Sequence, residues 1–280
     1  MGCLNSTGQF SHWFGNIHLS GSCNRKCYFC IGQHMMALDS LNNLHSWPLK
    51  NIDAFIESCK THRISEVNIT GSNTDPLLYR HTRELHNYLA ARIPDFIFGI
   101  RTNGVLALAR QDIWQLYDKA SISIPSFDPA IYKKMMGEAD IPDLKKILEV
   151  SQGKPIKINI VLGPENVHSG DLFKTIKTLA SIGIKKVNLR EPYGQPHVGN
   201  PLEEYSPERK MLGMPFYNYK GIDVMYWDVH YVEVESVNLY ANGVVSETYP
   251  VTKGHCPNTG KVLGQEHFQK SGRQQEQWIC

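Results

Sequence analysis

Long apolar runs are missing from this chain of 280 residues, and no stretch approaches the roughly 20 consecutive apolar residues that a membrane-spanning helix needs. Met1 to Phe10 has neither the basic start nor the apolar centre of a secretory signal. Gly2-Cys3 after Met1 carries too little of a lipidation motif to count as one. Charge of one sign is also scarce: 29 Lys and Arg against 27 Asp and Glu leave a formal net charge of +2. That balance neither demands a nucleic-acid partner nor excludes one. Internal repeats and low-complexity tracts are absent, which removes solenoid, propeller and fibrous architectures. Cysteine is sparse, seven in all, yet three of the seven fall within positions 23–30. Such clustering does not suit a disulfide framework and points to a reducing, cytoplasmic setting.

The stretch Ser22 to Ile31 sets Cys23, Cys27 and Cys30 in a C-x3-C-x2-C spacing, with Tyr28 and Phe29 directly before the last thiol. Three thiolates on one short loop can hold three irons of a cubane cluster, leaving the fourth iron open to a small chelating molecule. Other uses of the thiols fit less well. Cys27 and Cys30 alone have a dithiol spacing, but no thioredoxin-like pattern surrounds them. Ile31 stands where covalent haem attachment requires histidine. A zinc site from the three thiols and His34 is allowed by ligand chemistry, but zinc ligands usually come as two separated pairs. A non-catalytic zinc-binding module is therefore the competing class.

Around this loop, short β-rich runs alternate with helical stretches. Strands are expected at Gly15 to Ser20, Glu66 to Thr70, Phe96 to Arg101, Ser121 to Ile124, Ile156 to Leu162 and Lys186 to Arg190. Helices are expected at Pro48 to Arg63, Pro76 to Ile93, Asp112 to Lys119, Asp128 to Met136, Ile141 to Val150 and Ser169 to Ile182. About six strand–helix units imply an α/β fold with a parallel sheet and right-handed crossovers, and they are too few for a closed eight-stranded barrel. Along the strands, polar residues alternate with aliphatic ones: His18, Ser20, Asn68, Thr70, Arg101, Ser121, Ser123, Asn159, Asn188 and Arg190. Successive strand residues face opposite sides, so one face is polar, and a lumen holding a polar ligand is its natural place.

Five prolines and three glycines between Pro192 and Pro215 read as a long loop. Beyond it, Ile222 to Tyr226, Val229 to Tyr240 and Val244 to Tyr249 alternate like antiparallel strands, with Asn242-Gly243 as a hairpin turn. The expected organisation is an N-terminal extension over 1–14, a barrel over 15–195, a linker loop over 196–218, and a β-rich extension with a polar tail over 219–280. Cys59, one helical turn from Phe55, reads as a buried thiol. The tail places Lys261, Lys270 and Arg273 near Phe268 and Trp278, a mix that can stack bases but is more simply a solvated end.

The cysteine spacing, with an aromatic residue before the third thiol, resembles the signature of the radical SAM superfamily. The resemblance spans about residues 14 to 195, and its specific part is the cysteine motif. It implies a partial (β/α)6 TIM-like barrel with a small C-terminal antiparallel β addition. It also implies a [4Fe–4S] cluster on Cys23, Cys27 and Cys30, with S-adenosylmethionine (SAM) chelated by the open iron. In that family, one electron from the cluster cleaves SAM to a 5′-deoxyadenosyl radical, which takes a hydrogen from the substrate. A reductant such as flavodoxin or ferredoxin is then a partner. Carried over by position, Phe29 approaches adenine, while Thr70, Gly71, Ser72 and Asn73 stand where the family often has Gly-Gly-Glu for the SAM amino group. The glutamate is missing here, so a neutral side chain has to accept that bond. Ser123, Ser126 and Asn159 match positions that reach the ribose or the SAM carboxylate, and Leu189, Arg190 and Glu191 border adenine.

Ser123 to Pro129 with Lys133 to Gly137 resembles the molybdenum-cofactor GTP cyclase group. His18, Arg101, Asn103 and Asn188 are the candidate substrate contacts; no catalytic acid or base stands out. The region 237–264 resembles a C-terminal extension of peptide-modifying relatives without its auxiliary-cluster cysteines, so one cluster is expected. The combined reading is a radical SAM enzyme, an isomerase or C–H functionalising enzyme, acting on a small polar substrate such as a nucleoside, nucleotide or modified nucleic-acid base. A peptide-modifying enzyme is the alternative; it should show a leader-binding wing, and none is recognisable before Gly15.

Overall fold

The structure, a computed structural model, describes residues 13–35, 41–230, 232 and 234–248. Its strands are β1 (Trp13–Leu19), β2 (Glu66–Gly71), β3 (Ile97–Thr102), β4 (Lys119–Ser123), β5 (Ile156–Val161), β6 (Lys186–Arg190), β7 (Arg209–Met211), β8 (Met214–Tyr219), β9 (Ile222–Trp227), β10 (Glu235–Leu239) and β11 (Val245–Ser246). They form one sheet in the order β11-β10-β1-β2-β3-β4-β5-β6-β9-β8-β7. The six expected parallel strands stand side by side in chain order, with helices in the connections.

The two faces of this sheet differ as the alternation requires. Ile17, Leu19, Val67, Ile69, Phe98, Ile100, Ile122, Ile158, Ile160, Val187 and Leu189 form a continuous buried core. It packs against helices such as Ile52–Thr61, which contributes Ile52, Phe55, Ile56 and Cys59. Gly15 permits the close approach, since a Cβ there would stand 3.0 Å from the Phe55 ring. Register puts the polar residues on the other face: Thr70 pairs with Arg101, Arg101 with Ser121, Ser123 with Asn159 and Asn159 with Asn188. That face is the lumen.

The helix expected over Pro76 to Ile93 divides into a 3-10 turn, Pro76–Leu78, and a helix, Thr82–Ala90. The Asp75 side chain caps the turn at the Leu77 amide. The helix Pro129–Met136 is bounded by Asp128, whose Oδ1 accepts from the Ala130 and Ile131 amides, and by Gly137 at φ 82°.

The C-terminal part departs most from expectation. The stretch expected to be a loop carries β7 and β8, joined to each other and to β9 by Leu212-Gly213 and Lys220-Gly221. All four of these turn residues have positive φ, the signature of type I′ hairpins whose twist suits adjacent strands. The expected antiparallel pairings are present in β7–β8–β9 and β10–β11. In addition, β9 runs parallel to β6 and β10 parallel to β1, so the addition extends both edges of the barrel. Of the strand expected over Val229 to Tyr240, Glu235–Leu239 is the part formed among the described residues.

Parallel strands need a return path, and 228–234 is too short for a helical crossover. Val232 and Val234 instead join Met214, Phe216, Met225 and Trp227 in a second apolar cluster, against which Phe14 of β1 packs. The gap between the two sheet edges is filled by side chains from both. Cys3, Cys256, Cys280 and the tail 261–280 lie outside the described residues, and no helix among the described residues is long and apolar enough to cross a membrane.

Candidate active site

The ends of the parallel strands surround a cavity of about 590 Å³, and the cysteine loop forms part of its wall. That loop leaves β1 and is pinned from several sides. The Ser20 amide donates to Asn43 Oδ1 at 2.9 Å, and the Asn43 amide donates back to the Ser20 carbonyl at 3.0 Å. Asn73 Oδ1 accepts from Ser20 Oγ at 2.9 Å and from the Gly21 amide at 3.0 Å. Thr74 Oγ1 donates to the Ser22 carbonyl at 2.7 Å. Across the loop, buried Arg25 is paired with Asp140 at 2.9 Å, and the Lys26 amide donates to the Met136 carbonyl at 3.0 Å. Tyr28 Oη donates to Glu165 Oε2 at 2.9 Å, and Glu165 also pairs with Lys134 at 3.1 Å.

Cys23, Cys27 and Cys30 are each partly buried on this loop. Burial pushes the Cys23 thiol up to about 11, helped by Asp75 and Cys30. It pushes Cys27 up to about 12, helped by Cys30 and Cys23. Cys30 is raised by burial too. The three sulfurs thus share one local field at the cavity wall. Three thiolates on one short loop suit three corners of a cubane and leave the fourth open, whereas a structural zinc takes four protein ligands. The donor set fits the cluster.

Of the residues singled out in the sequence, Phe29, Thr70, Gly71, Asn73, Ser123, Asn159, Arg190, His18, Arg101 and Asn103 line the cavity. Asn159 Nδ2 donates to Ser121 Oγ at 2.7 Å, while its buried Oδ1 has no partner among the described residues. An unused acceptor there suits a ligand hydroxyl or amine. Ser72 lies just behind the wall, its Oγ 3.4 Å from His18 Nδ1 and its carbonyl accepting from Cys30 Sγ at 3.3 Å. Ser126 is spent on the turn before Pro129, accepting from the Asp128 amide at 2.8 Å. The Leu189 side chain belongs to the outer core. Asn188 shares the lumen face with Arg190 but sits one step deeper.

Several wall residues were not singled out as candidates. Asp75 is buried and accepts from Thr102 Oγ1 at 2.7 Å and from the Asn103 amide at 2.8 Å, which ties the ends of β2 and β3 together. Asn103 Nδ2 then donates to Asn24 Oδ1 at 2.7 Å, reaching the cysteine loop. Below the cavity, Lys119 pairs with Glu66, and Lys157 shares their face through the pairing of β4 with β5. Lys157 keeps solvent access, yet the lumen around it strips part of its hydration. That enclosure, with Arg101, Lys119 and Arg190 nearby, holds its pKa down at about 7. Strand alternation alone would have found both lysines, since each lies two residues before Ser121 or Asn159. The lumen floor is therefore cationic, with Glu66 as the acidic neighbour of Lys157.

The Radical SAM superfamily model matches residues 17–189. A probable GTP 3′,8-cyclase of Methanococcus aeolicus is 28% identical over 158 residues, covering 52% of this chain and 49% of that protein. Streptococcus suis SuiB superposes with a TM-score of 0.50 at 19% identity, over 68% of this chain and 41% of the other. The structure of SuiB bound to precursor peptide SuiA gives 0.50 at 17% identity, over 65% and 40%. At these identities the structural likeness speaks to the fold. The chain spans about half the length of the curated relative it matches.

Proposed function

This chain belongs to the radical SAM superfamily, and from that premise we propose that it acts on a small anionic substrate of nucleoside or nucleotide type. The family uses a [4Fe–4S] cluster with S-adenosylmethionine, and Cys23, Cys27 and Cys30 are the residues that would hold the cluster. When bound, the reduced cluster supplies the electron that cleaves SAM and so generates a hydrogen-abstracting radical. The electron comes from an external donor of flavodoxin or ferredoxin type. Phe29, Thr70, Gly71 and Asn73 line the cavity that also holds the thiols, where they would orient SAM. Ser123 and Asn159 offer polar contacts to its ribose or carboxylate.

The observation that carries the substrate class is the cationic floor. Arg101 and Arg190 line the cavity, and Lys119 and Lys157 follow them on the same face of the sheet, with Glu66 paired to Lys119. Such a group favours a bound phosphate or carboxylate, for which Arg is suited by its bidentate fork. Likeness to the GTP cyclase supports the same choice, whereas likeness to SuiB is one of fold. The reaction proposed is a rearrangement or C–H functionalisation of a base or its substituent.

The reconstituted, reduced protein is expected to release 5′-deoxyadenosine from SAM, faster with substrate than without. Deuterium from a labelled nucleoside, nucleotide or DNA should appear in that product. Arg101→Ala and Arg190→Ala should each raise KM about tenfold or more, the cost of a lost charge-assisted bond. Deuterium arriving from a peptide instead, or no 5′-deoxyadenosine with any substrate, would reverse this assignment.

A further inference from the structure

The loops that follow β6 and β9 leave the same end of two paired parallel strands, since Arg190 registers with Trp227. This brings His197 of the first loop against Asp228 and His230 of the second. Their ligand atoms all lie within 4.8 Å of one another, and the two imidazole centroids are 5.1 Å apart. Asp228 is held in orientation: its Oδ1 accepts from the His230 amide at 2.9 Å, which leaves Oδ2 facing His197 Nδ1 at 3.8 Å. That separation is too long for a hydrogen bond. The carboxylate and the imidazole thus face each other across a space.

We infer that His197, Asp228 and His230 form a binding site for one divalent transition-metal ion, additional to the three thiols. Two imidazoles and a carboxylate suit zinc, iron(II), manganese or cobalt. An ion about 2.0–2.2 Å from each donor would draw the ligand atoms to roughly 3–3.5 Å of one another, a small movement for side chains on loops. The loop that carries His197 is anchored next to it. Glu191 Oε2 accepts from the Val198 amide at 3.2 Å, next to His197, and its Oε1 accepts from Tyr226 Oη at 2.9 Å. Glu191 also lines the cavity, so the ion would lie beside the cavity wall. Three protein ligands leave coordination positions open to water or to a substrate oxygen.

The test uses cluster-loaded protein, in which iron already occupies the thiols. After treatment with a chelator, it is incubated with zinc chloride, desalted, and analysed for iron and zinc separately. One zinc per chain is expected beside about four irons. His197→Ala, Asp228→Asn and His230→Ala should each lower retained zinc by about tenfold or more, while keeping the iron. Retained iron and an unchanged circular dichroism spectrum report folding. His197 is exposed, so its variant decides the matter even if the others fail to fold. Wild-type protein that keeps no zinc, or a His197→Ala protein that keeps as much as wild type, would overturn the site.

Discussion

Gly32 and Ser72 back onto each other so closely that a Cβ on Gly32 would stand 2.0 Å from the Ser72 carbonyl oxygen. The same carbonyl accepts from Cys30 Sγ at 3.3 Å. The position of the third thiol thus depends on the absence of a side chain two residues later, because backbone meets backbone there.

Gly32→Ala is therefore expected to push the cysteine loop away from the end of β2. Overpacking of this kind costs roughly 1–3 kcal/mol. Iron per chain after reconstitution and the denaturation midpoint should both fall. If both match wild type, the contact is not the constraint described.

Asn238 joins β10 to β1 from inside the sheet. Its Oδ1 accepts from Asn16 Nδ2 at 2.9 Å and lies 3.3 Å from His18 Nε2, while its Nδ2 donates to Ser236 Oγ and the Thr248 carbonyl, each at 2.9 Å. Asn238→Ala would leave buried Asn16 without this acceptor, at a cost of about 2–3 kcal/mol. Urea unfolding measures it, with a substitution at exposed Glu235 on the same strand as the control. A loss no larger than the control's would show the network to be dispensable.

Lys157 has a folded pKa of about 7 against an ordinary 10.5. Between those values the unfolded chain binds more protons than the folded one, so stability attributable to this residue rises with pH above about 7. Comparing unfolding free energies of wild type and Lys157→Met from pH 6 to 9 should give a difference that shifts in favour of wild type as pH increases. A constant difference would contradict a depressed lysine.

In cluster-free protein, Cys23 at about 11 rather than 9.0 carries about a hundredfold less thiolate at pH 8, and thiolate is the reactive form. Iodoacetamide labelling followed by mass spectrometry should find Cys23 correspondingly slow beside a model thiol. Equal rates would mean that the loop opens when the cluster is absent. Cluster assembly should also release protons and weaken as pH falls.

Some of this was legible in the chain itself. Cys23, Cys27 and Cys30 lie on one loop, so covalent spacing alone keeps them together. The two-residue period of Asn68-Ile69-Thr70 or Ser121-Ile122-Ser123 assigns each residue to a face, and the buried outer row of Ile69 and Ile122 matches it. Asp128 marks one helix end by its side-chain acceptor, and Gly137 marks the other by its positive φ. These features are local, and a local pattern can be read without knowing its neighbours.

Other features depended on which strands meet. Nothing between Ile222 and Leu239 marks β9 for one edge of the barrel and β10 for the other; burial of Met225, Trp227, Val232 and Val234 against Phe14 decides it. The same pairing carries His197 to Asp228 and His230. The cationic floor likewise needed β2 through β6 in register before Glu66, Arg101, Lys119, Lys157 and Arg190 could share one field. Periodicity determines the face a side chain takes. Its neighbours across the sheet are set by long-range burial, which only the folded chain supplies.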